Sequence, residues 1–343
     1  MSGQLDDFCQ MISSKYGSPA GVAPGDLAKD FVAHSGLSSY PSFIEIHHVL
    51  KQYGVDEITA ADLKAGKLKG HHFSYKGQGY QVQYEKDLWT GTIEHVMLHE
   101  LYEIINERCM KWCHGYRSLP IPQICLPANR FAASALMQPE VLLDALFETG
   151  LDVIQLHHRF WKAYSSVAMR AVEIINSRNG DLPPEERIDL MVVIYERMED
   201  EHPRKWGFCT PDKFMVRYSL RTKGIKLGSK GGAWLQGGYP RSPNYKAPRY
   251  PWHLIPKKGD GVKPNSLAME VVNTGGCFCL EKATGFDFWG INDLSFIAQP
   301  VKWFGKLAKV VLVGVRCKDA KLLEVQRDGL RKPTLIEESY QVI

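Results

Sequence analysis

Residues Thr92–Glu107 predict a helix with one apolar face and another face of imidazoles and carboxylates. The apolar residues recur at three- and four-residue steps, as they do on the buried face of a helix; they are Ile93, Met97, Leu101, Ile104 and Ile105. His95, His99 and Glu103 follow one another at four-residue steps on a different face. An apolar stripe backed by such side chains is typical of a helix that carries a metal site.

The spacing of these polar residues has a chemical reason. Two ligands four residues apart on a helix point the same way about 6 Å apart, so one divalent ion can bridge them. His99 and Glu103 have this spacing, and Glu100 follows the first ligand, where a carboxylate can take a proton from water beside the ion. This resembles the His-Glu-x-x-His pattern of metallohydrolases, with a carboxylate in the second ligand position. The alternative is an ordinary solvated helix face, because scattered His and Glu are common there.

Length and composition indicate a globular protein of two or three domains. The chain has 343 residues, of which 44% are hydrophobic, enough for a sizeable core. It contains no run of about eighteen apolar residues and no basic start followed by an apolar core, so we expect no membrane span and no secretory signal. Eight dispersed cysteines suit a reducing compartment. We therefore expect a cytoplasmic protein.

Two further segments flank the predicted metal-site helix. Residues 68–85 alternate between polar and apolar side chains around a break at Lys76–Gly79, which predicts a β-hairpin leading into the helix. Residues Pro127–Pro139 predict a helix that starts at its proline and packs closely through its alanines. The composition of this second helix alone indicates only packing.

Taken together, these segments resemble the ImmA/IrrE family of metallo-endopeptidases. The resemblance runs from about Pro41 to Gly150. It rests on the order of two motifs, His-Glu-x-x-ligand at residues 99–103 and Ala-Asn-Arg-Phe-Ala-Ala-x-x-Leu-Met-x-Pro at residues 128–139. The resemblance implies a small zincin-like domain with a short sheet and an active-site helix.

The resemblance also implies roles for individual residues. His99 matches the first zinc ligand, Glu100 the general base, and Glu103 the second ligand position, where the family usually has His. The third ligand of the family is usually a Glu three residues before the Ala of Ala-Asn, and Cys125 stands there in this chain. Thiolate is a strong zinc ligand, so a His99, Glu103 and Cys125 site is chemically sensible. His95 is the reserve candidate for the third ligand.

Residues 151–203 predict a helical segment, with a break between short helices that is similar to the helix-turn-helix-like segment of IrrE-type proteins. Within it, Glu185–Glu201 predicts one amphipathic helix. Residues 204–343 predict a β-rich module, similar in layout to the GAF-like sensor domain of these proteins. Its expected strands are Phe214–Leu220, Ser266–Val272, Cys277–Leu280, Leu294–Ala298 and Lys309–Val315.

Charge is unevenly distributed along the chain. Residues 214–263 carry eleven Lys and Arg against the single acid Asp260, a net charge of +10, while the whole chain carries +4. Aromatic residues are interleaved with these charges, a mixture that can bind nucleic acid through phosphate contacts and base stacking. The alternative is a set of solvated loops that brace the module or contact an acidic partner.

The sequence therefore predicts an α+β protein with four parts: a lead at 1–40, a zincin-like peptidase domain at 41–150, a helical segment at 151–203 and a GAF-like domain at 204–343. The resemblance implies a Zn²⁺-dependent endopeptidase that cleaves a helix-turn-helix transcriptional repressor in a stress or mobile-element response. Two alternatives remain open. One is a non-catalytic regulatory protein that uses the peptidase fold to bind a repressor or ligand, and the other is a nucleic-acid-binding module centred on residues 214–263.

Overall fold

The structure is a computed structural model that describes residues 3–19, 22–63, 69–74, 79–109, 121–197, 214–225, 258–262, 266–280 and 294–331. The chain divides into two units. The first is Met1–Leu142 with His158–Ala163, and the second is Leu143–His157 with Tyr164–Ile343. The described residues form ten α-helices and two sheets, which confirms the α+β class. The zincin-like and GAF-like assignments and the four-part domain division stay predictions.

The elements are numbered in chain order. The helices are α1 (Gly3–Tyr16), α2 (Pro24–Ser35), α3 (Phe43–Gln52), α4 (Thr90–Cys109), α5 (Ile121–Leu136), α6 (Pro139–Glu148), α7 (Val153–Phe160), α8 (Tyr164–Gly180), α9 (Leu267–Thr274) and α10 (Lys321–Arg331). The strands are β1 (Val55–Ala61), β2 (Gly70–Ser74), β3 (Tyr80–Glu85), β4 (Leu190–Arg197), β5 (Phe214–Arg221), β6 (Phe278–Leu280), β7 (Leu294–Trp303) and β8 (Lys306–Arg316).

The first unit contains a three-stranded sheet in the order β1-β3-β2. Strands β2 and β3 pair antiparallel, which confirms the predicted hairpin at 68–85. Strand β1 pairs parallel to β3 at the other edge and was not predicted. Both β2 and β3 contact α4, so the hairpin lies against the helix that follows it.

Aromatic side chains join the helices of the first unit. Phe31 of α2 contacts Phe131 of α5 and Tyr53, with ring centroids 5.4 and 5.2 Å apart, and Tyr102 of α4 lies 5.3 Å from Phe131. Phe8 of α1 packs against Phe31 and Tyr53. Buried aromatic rings contribute large apolar areas to a core. Helices α1 and α2 are therefore part of the core that supports α4 and α5.

The second unit contains a five-stranded antiparallel sheet in the order β5-β4-β8-β7-β6. Helix α9 packs against β6, β7 and β8, and α8 packs against β4 and β5. Alternate residues of the sheet form a core with α9; these include Met191, Val193, Tyr195, Phe214, Phe296 and Leu312. The predicted strand Lys309–Val315 lies within β8 at the centre of the sheet.

Two elements of the second unit differ from the prediction. The helix predicted at Glu185–Glu201 is wrong, because Leu190–Arg197 is β4. Six consecutive buried residues begin this strand, and a continuous apolar run suits a strand buried on both faces. The strand predicted at Ser266–Val272 is also wrong, because Leu267–Thr274 is α9. Ser266 caps its first turn by accepting a hydrogen bond from the Met269 backbone N–H.

Helix α5 begins six residues before the proline at which we expected it to start. Cys125 therefore lies inside the helix, and Pro127 occupies an interior position.

Within the described part of the chain, no helix combines the length and the apolar character needed to cross a bilayer.

Candidate metal centre

The structure brings the three predicted ligands together from two helices. His99 and Glu103 lie one turn apart on α4, and Cys125 lies on α5, which packs against α4. One donor atom from each of these three side chains lies within 4.8 Å of the other two. His99 and Glu103 are close in sequence, but Cys125 lies on a different helix. The three side chains therefore come together only because α4 and α5 pack against each other.

The distances within this group suit a metal ion. His99 Nε2 lies 3.2 Å from Glu103 Oε1. Ligand atoms about 2.1 Å from a tetrahedral ion lie about 3.4 Å from one another. One imidazole, one carboxylate and one thiol are all donors that Zn²⁺ accepts, and three protein ligands leave one position open. The residues present therefore fit a zinc ion.

Asn129 fixes the orientation of His99. Its side-chain oxygen accepts hydrogen bonds from His99 Nδ1 and His95 Nε2, both at 3.0 Å. Asn129 lies one turn after Cys125 on α5, so the two side chains point the same way. With Nδ1 donating to Asn129, His99 directs Nε2 at Glu103. The Asn of the Ala-Asn motif thus has a physical role that the sequence did not reveal.

His72 is a residue of this centre that the sequence analysis missed. Its side chain, 8% exposed, comes from β2, and its Nδ1 lies 2.8 Å from Glu100 Oε2 and 3.8 Å from Glu103 Oε2. Its Nε2 lies 3.0 Å from Glu107 Oε1. Donor atoms of His72, Glu100 and Glu103 also lie within 4.8 Å of one another. The alternation of the hairpin could have placed His72 on one face, but not against α4.

Gly70 permits this approach of β2 to α4. A Cβ atom on Gly70 would lie 2.2 Å from Val96 Cγ1 and 3.6 Å from Glu100 Oε1. Any larger residue would therefore have to displace the Val96 side chain, the strand or the helix. Gly70 and His72 lie on the same face of β2, because side chains two residues apart in a strand point the same way. The missing side chain at Gly70 brings His72 within hydrogen-bonding distance of Glu100.

The carboxylates of α4 change the proton affinities around them. Burial and the negative charges of Glu103 and Glu100 raise the pKa of the Cys125 thiol. Burial acts to lower the pKa of His72, but its hydrogen bonds to Glu100 and Glu107 outweigh burial and raise the pKa to about 9. For His99 the carboxylates likewise outweigh burial, and its pKa is raised. Such a concentration of anionic groups favours either protons or a cation at the centre.

His95, the reserve ligand candidate, is oriented away from this role. Its Nε2 donates to Asn129, and it belongs to neither of the two groups of metal-ligating side chains found among the described residues. Burial lowers the pKa of His95 and so favours its neutral form. The geometry favours Cys125 over His95 as the third donor.

A buried ion pair holds the first turns of α4. Lys162 Nζ donates to Glu94, and both side chains are almost fully buried. Burial raises the pKa of Glu94 and lowers that of Lys162, while each charge opposes the shift of the other. Trp161 packs against Trp89 with ring centroids 5.5 Å apart. The segment 158–163 thereby fixes the beginning of the helix that carries His95 and His99.

The basic stretch at 214–263 lies mostly outside the described residues. Only residues 214–225 and 258–262 are described, and they include β5. The nucleic-acid interface predicted there stays a prediction.

Comparison with known proteins gives a likeness in fold and no family. No protein-family model matches the chain, and no curated protein matches it. A solved structure described as a Mycobacterium tuberculosis transcriptional regulator is similar, with a TM-score of 0.50 and 10% identity over 93% of this chain and 82% of that chain. At this identity the likeness concerns the fold alone.

Proposed function

We propose that the protein is a zinc-dependent endopeptidase of the ImmA/IrrE type, acting in transcription regulation. The observation that carries the proposal is the convergence of His99, Glu103 and Cys125, whose donor atoms lie within 4.8 Å of one another. These residues would hold the ion. When bound, Zn²⁺ supplies a Lewis acid that polarises a carbonyl and makes water more acidic.

Glu100 is the proton acceptor in this proposal. It is the neighbour of His99 on α4, and its side chain is only 6% exposed. The hydrogen bond from His72 Nδ1 to Glu100 Oε2 holds that carboxylate in one orientation. A fixed carboxylate beside the ligands can take a proton from water and pass it to the leaving amine. His72 acts in this arrangement as a positioning residue.

The substrate of the proposed peptidase is a helix-turn-helix transcriptional repressor, and residues 204–343, which belong to the second unit, are a GAF-like sensor domain. Both follow from the family resemblance. The likeness in fold to a transcriptional regulator is compatible with such a role. The antiparallel sheet of the second unit, covered by α8 and α9, is compatible with a sensor module. A cytoplasmic location is part of the same proposal.

A regulatory protein without catalysis is the second candidate. It is favoured by the engagement of Glu100 with His72, because the Glu100 Oε2 atom that is hydrogen-bonded to His72 Nδ1 is already occupied and faces the imidazole rather than a water molecule. In this case the centre would bind metal and the protein would bind its repressor without cutting it.

Catalysis distinguishes the two candidates. The zinc-loaded protein and its Glu100→Gln variant are each incubated with a lysate of the source organism, and new protein N-termini are identified by labelling and mass spectrometry. The peptidase predicts a small set of new N-termini with the wild type that is absent with Glu100→Gln and after chelation. Identical N-termini in the wild type and the variant would contradict the peptidase and leave the binding protein.

A further inference from the structure

The two carboxylate oxygens of Glu103 face two different imidazoles. Oε1 lies 3.2 Å from His99 Nε2, and Oε2 lies 3.8 Å from His72 Nδ1. A carboxylate in this position can bind one ion through each oxygen. Glu103 therefore belongs to both groups of donors, the one with Cys125 and the one with Glu100.

The second group has the distances expected of a ligand set. Its members are His72, Glu100 and Glu103, with donor atoms within 4.8 Å of one another. The separations from His72 Nδ1 are 2.8 Å to Glu100 Oε2 and 3.8 Å to Glu103 Oε2. These values lie on either side of the separation of about 3.4 Å between ligands of a tetrahedral ion. Small side-chain movements would complete the coordination.

The orientation of His72 is that of a metal ligand. An imidazole that binds a metal usually donates its other ring N–H to a carboxylate or carbonyl. Glu107 Oε1 lies 3.0 Å from His72 Nε2 and can accept that hydrogen. When a cation displaces the proton that Nδ1 donates to Glu100, Nδ1 faces the carboxylates of Glu100 and Glu103 as a ligand atom. His99 shows the same arrangement, with Asn129 as the acceptor at its other nitrogen.

We propose that His72, Glu100 and Glu103 bind a second divalent cation, and that Glu103 bridges it to the zinc ion. This inference rests on the proposed zinc site of His99, Glu103 and Cys125. The two sites differ in chemistry, because the first offers a thiolate and the second only nitrogen and oxygen donors. A second ion bound to Glu100 occupies the carboxylate that the peptidase needs as its proton acceptor. Excess metal therefore inhibits the peptidase.

Titration of the full-length, chelator-treated protein with Co²⁺ tests this proposal. A Co²⁺ ion bound to thiolate has a charge-transfer absorption band that an ion with nitrogen and oxygen ligands lacks. The wild type is expected to bind two equivalents of Co²⁺, only one of which produces the band. His72→Gln is expected to bind one equivalent with the band retained, and Cys125→Ser to lose the band. His71→Gln changes a histidine on the opposite face of β2. It is the matched control and is expected to bind two equivalents of Co²⁺.

Two further variants separate the bridge from the second site and from folding. Glu103→Ala is expected to lose both equivalents, because both ions share this residue. Glu107→Gln changes a side chain that is 43% exposed, so it leaves the fold intact. It is expected to weaken the affinity for the second Co²⁺ about 10-fold, because an amide oxygen is a weaker acceptor for the His72 Nε2 hydrogen than a carboxylate is.

The outcomes distinguish this proposal from the proposed function. One equivalent with the thiolate band in the wild type would overturn the second site and leave the zinc site standing. No binding by the wild type would overturn both. Two equivalents retained by His72→Gln would overturn the second site, and loss of only one equivalent in Glu103→Ala would overturn the bridge.

Discussion

Each imidazole of the centre is held at one ring nitrogen by an outer acceptor and directs the other nitrogen at the carboxylates of α4. Asn129 accepts from His99 Nδ1, and Glu107 lies beside His72 Nε2. The remaining nitrogens both face Glu103. Fixing a ring in this way lowers the entropy lost when it binds an ion and selects the tautomer that binds.

Replacing Asn129 by Leu tests the importance of this orientation. The variant leaves His99 and His95 without their shared acceptor, so we expect the dissociation constant for zinc to rise about 10- to 100-fold. The measurement is competition with a fluorescent zinc chelator. Arg130→Leu changes the neighbouring exposed residue and is the control. Equal zinc affinities in the two variants would contradict the role of Asn129.

His72 predicts a pH dependence for the metal-free protein. Its pKa of about 9 lies above the ordinary value of 6.5. A group with a raised folded-state pKa stabilises the protein fully below its unfolded value, and this stabilisation is lost as pH rises through the folded value. Between about pH 6.5 and about pH 9, the free energy of unfolding should therefore fall more in the wild type than in His72→Gln.

Urea unfolding in the presence of a chelator, at about pH 6 and about pH 9.5, measures this difference. Other titrating groups are common to both proteins and cancel in the comparison. An equal fall in stability for wild type and His72→Gln would show that the imidazole gains no proton affinity from its carboxylates.

At the scale of elements, the centre depends on how closely β2 approaches α4. Gly70→Ala places a Cβ against Val96 Cγ1, and such overpacking costs about 1–3 kcal/mol. Val96→Ala removes Val96 Cγ1, the atom that this Cβ would contact. We expect the double variant to be more stable than the sum of the two single changes predicts, because the residues are in contact. Urea midpoints of the four proteins give the coupling energy, and additive values would contradict the close approach.

The ion pair between Glu94 and Lys162 gives a second prediction at this scale. Lys162→Met leaves the buried Glu94 without its partner, and removing one member of a buried pair costs about 3–5 kcal/mol. Glu94→Gln with Lys162→Met leaves no charge buried, so its loss of stability should be much smaller. The free energies of unfolding of the two variants measure this. Equal losses in both would mean that packing, not charge, holds the start of α4.

At the scale of the whole molecule, the sequence predicted what is local and missed what depends on packing. The face shared by His99, Glu100 and Glu103 follows from helical periodicity, and the hairpin follows from alternation around its glycines. Cys125 came only from the family resemblance, because a contact between two helices has no signature in spacing. His72 was missed for a similar reason, since its approach depends on Gly70 and Val96 being close in space.

The second unit shows the same division between local and non-local information. Strands β7 and β8 were predicted because their apolar runs are flanked by turn residues. The six buried residues that begin β4 were assigned to a helix, because an apolar run with charged ends fits either structure. This segment is a strand because it pairs with β5 on one side and with β8 on the other, and both pairings join residues distant in sequence. Helix α9 was missed because its Ser266 cap and its Gly275 end were not recognised as helix boundaries.

X-ray absorption at the zinc edge tests the central claim most directly. The protein is loaded with one equivalent of zinc, and wild type is compared with Cys125→Ser. A site of His99, Glu103 and Cys125 predicts one sulfur ligand at about 2.3 Å with nitrogen and oxygen ligands at about 2.0–2.1 Å, and loss of the sulfur in the variant. A wild-type spectrum with only nitrogen and oxygen ligands, or a wild type that retains no zinc, would contradict the account.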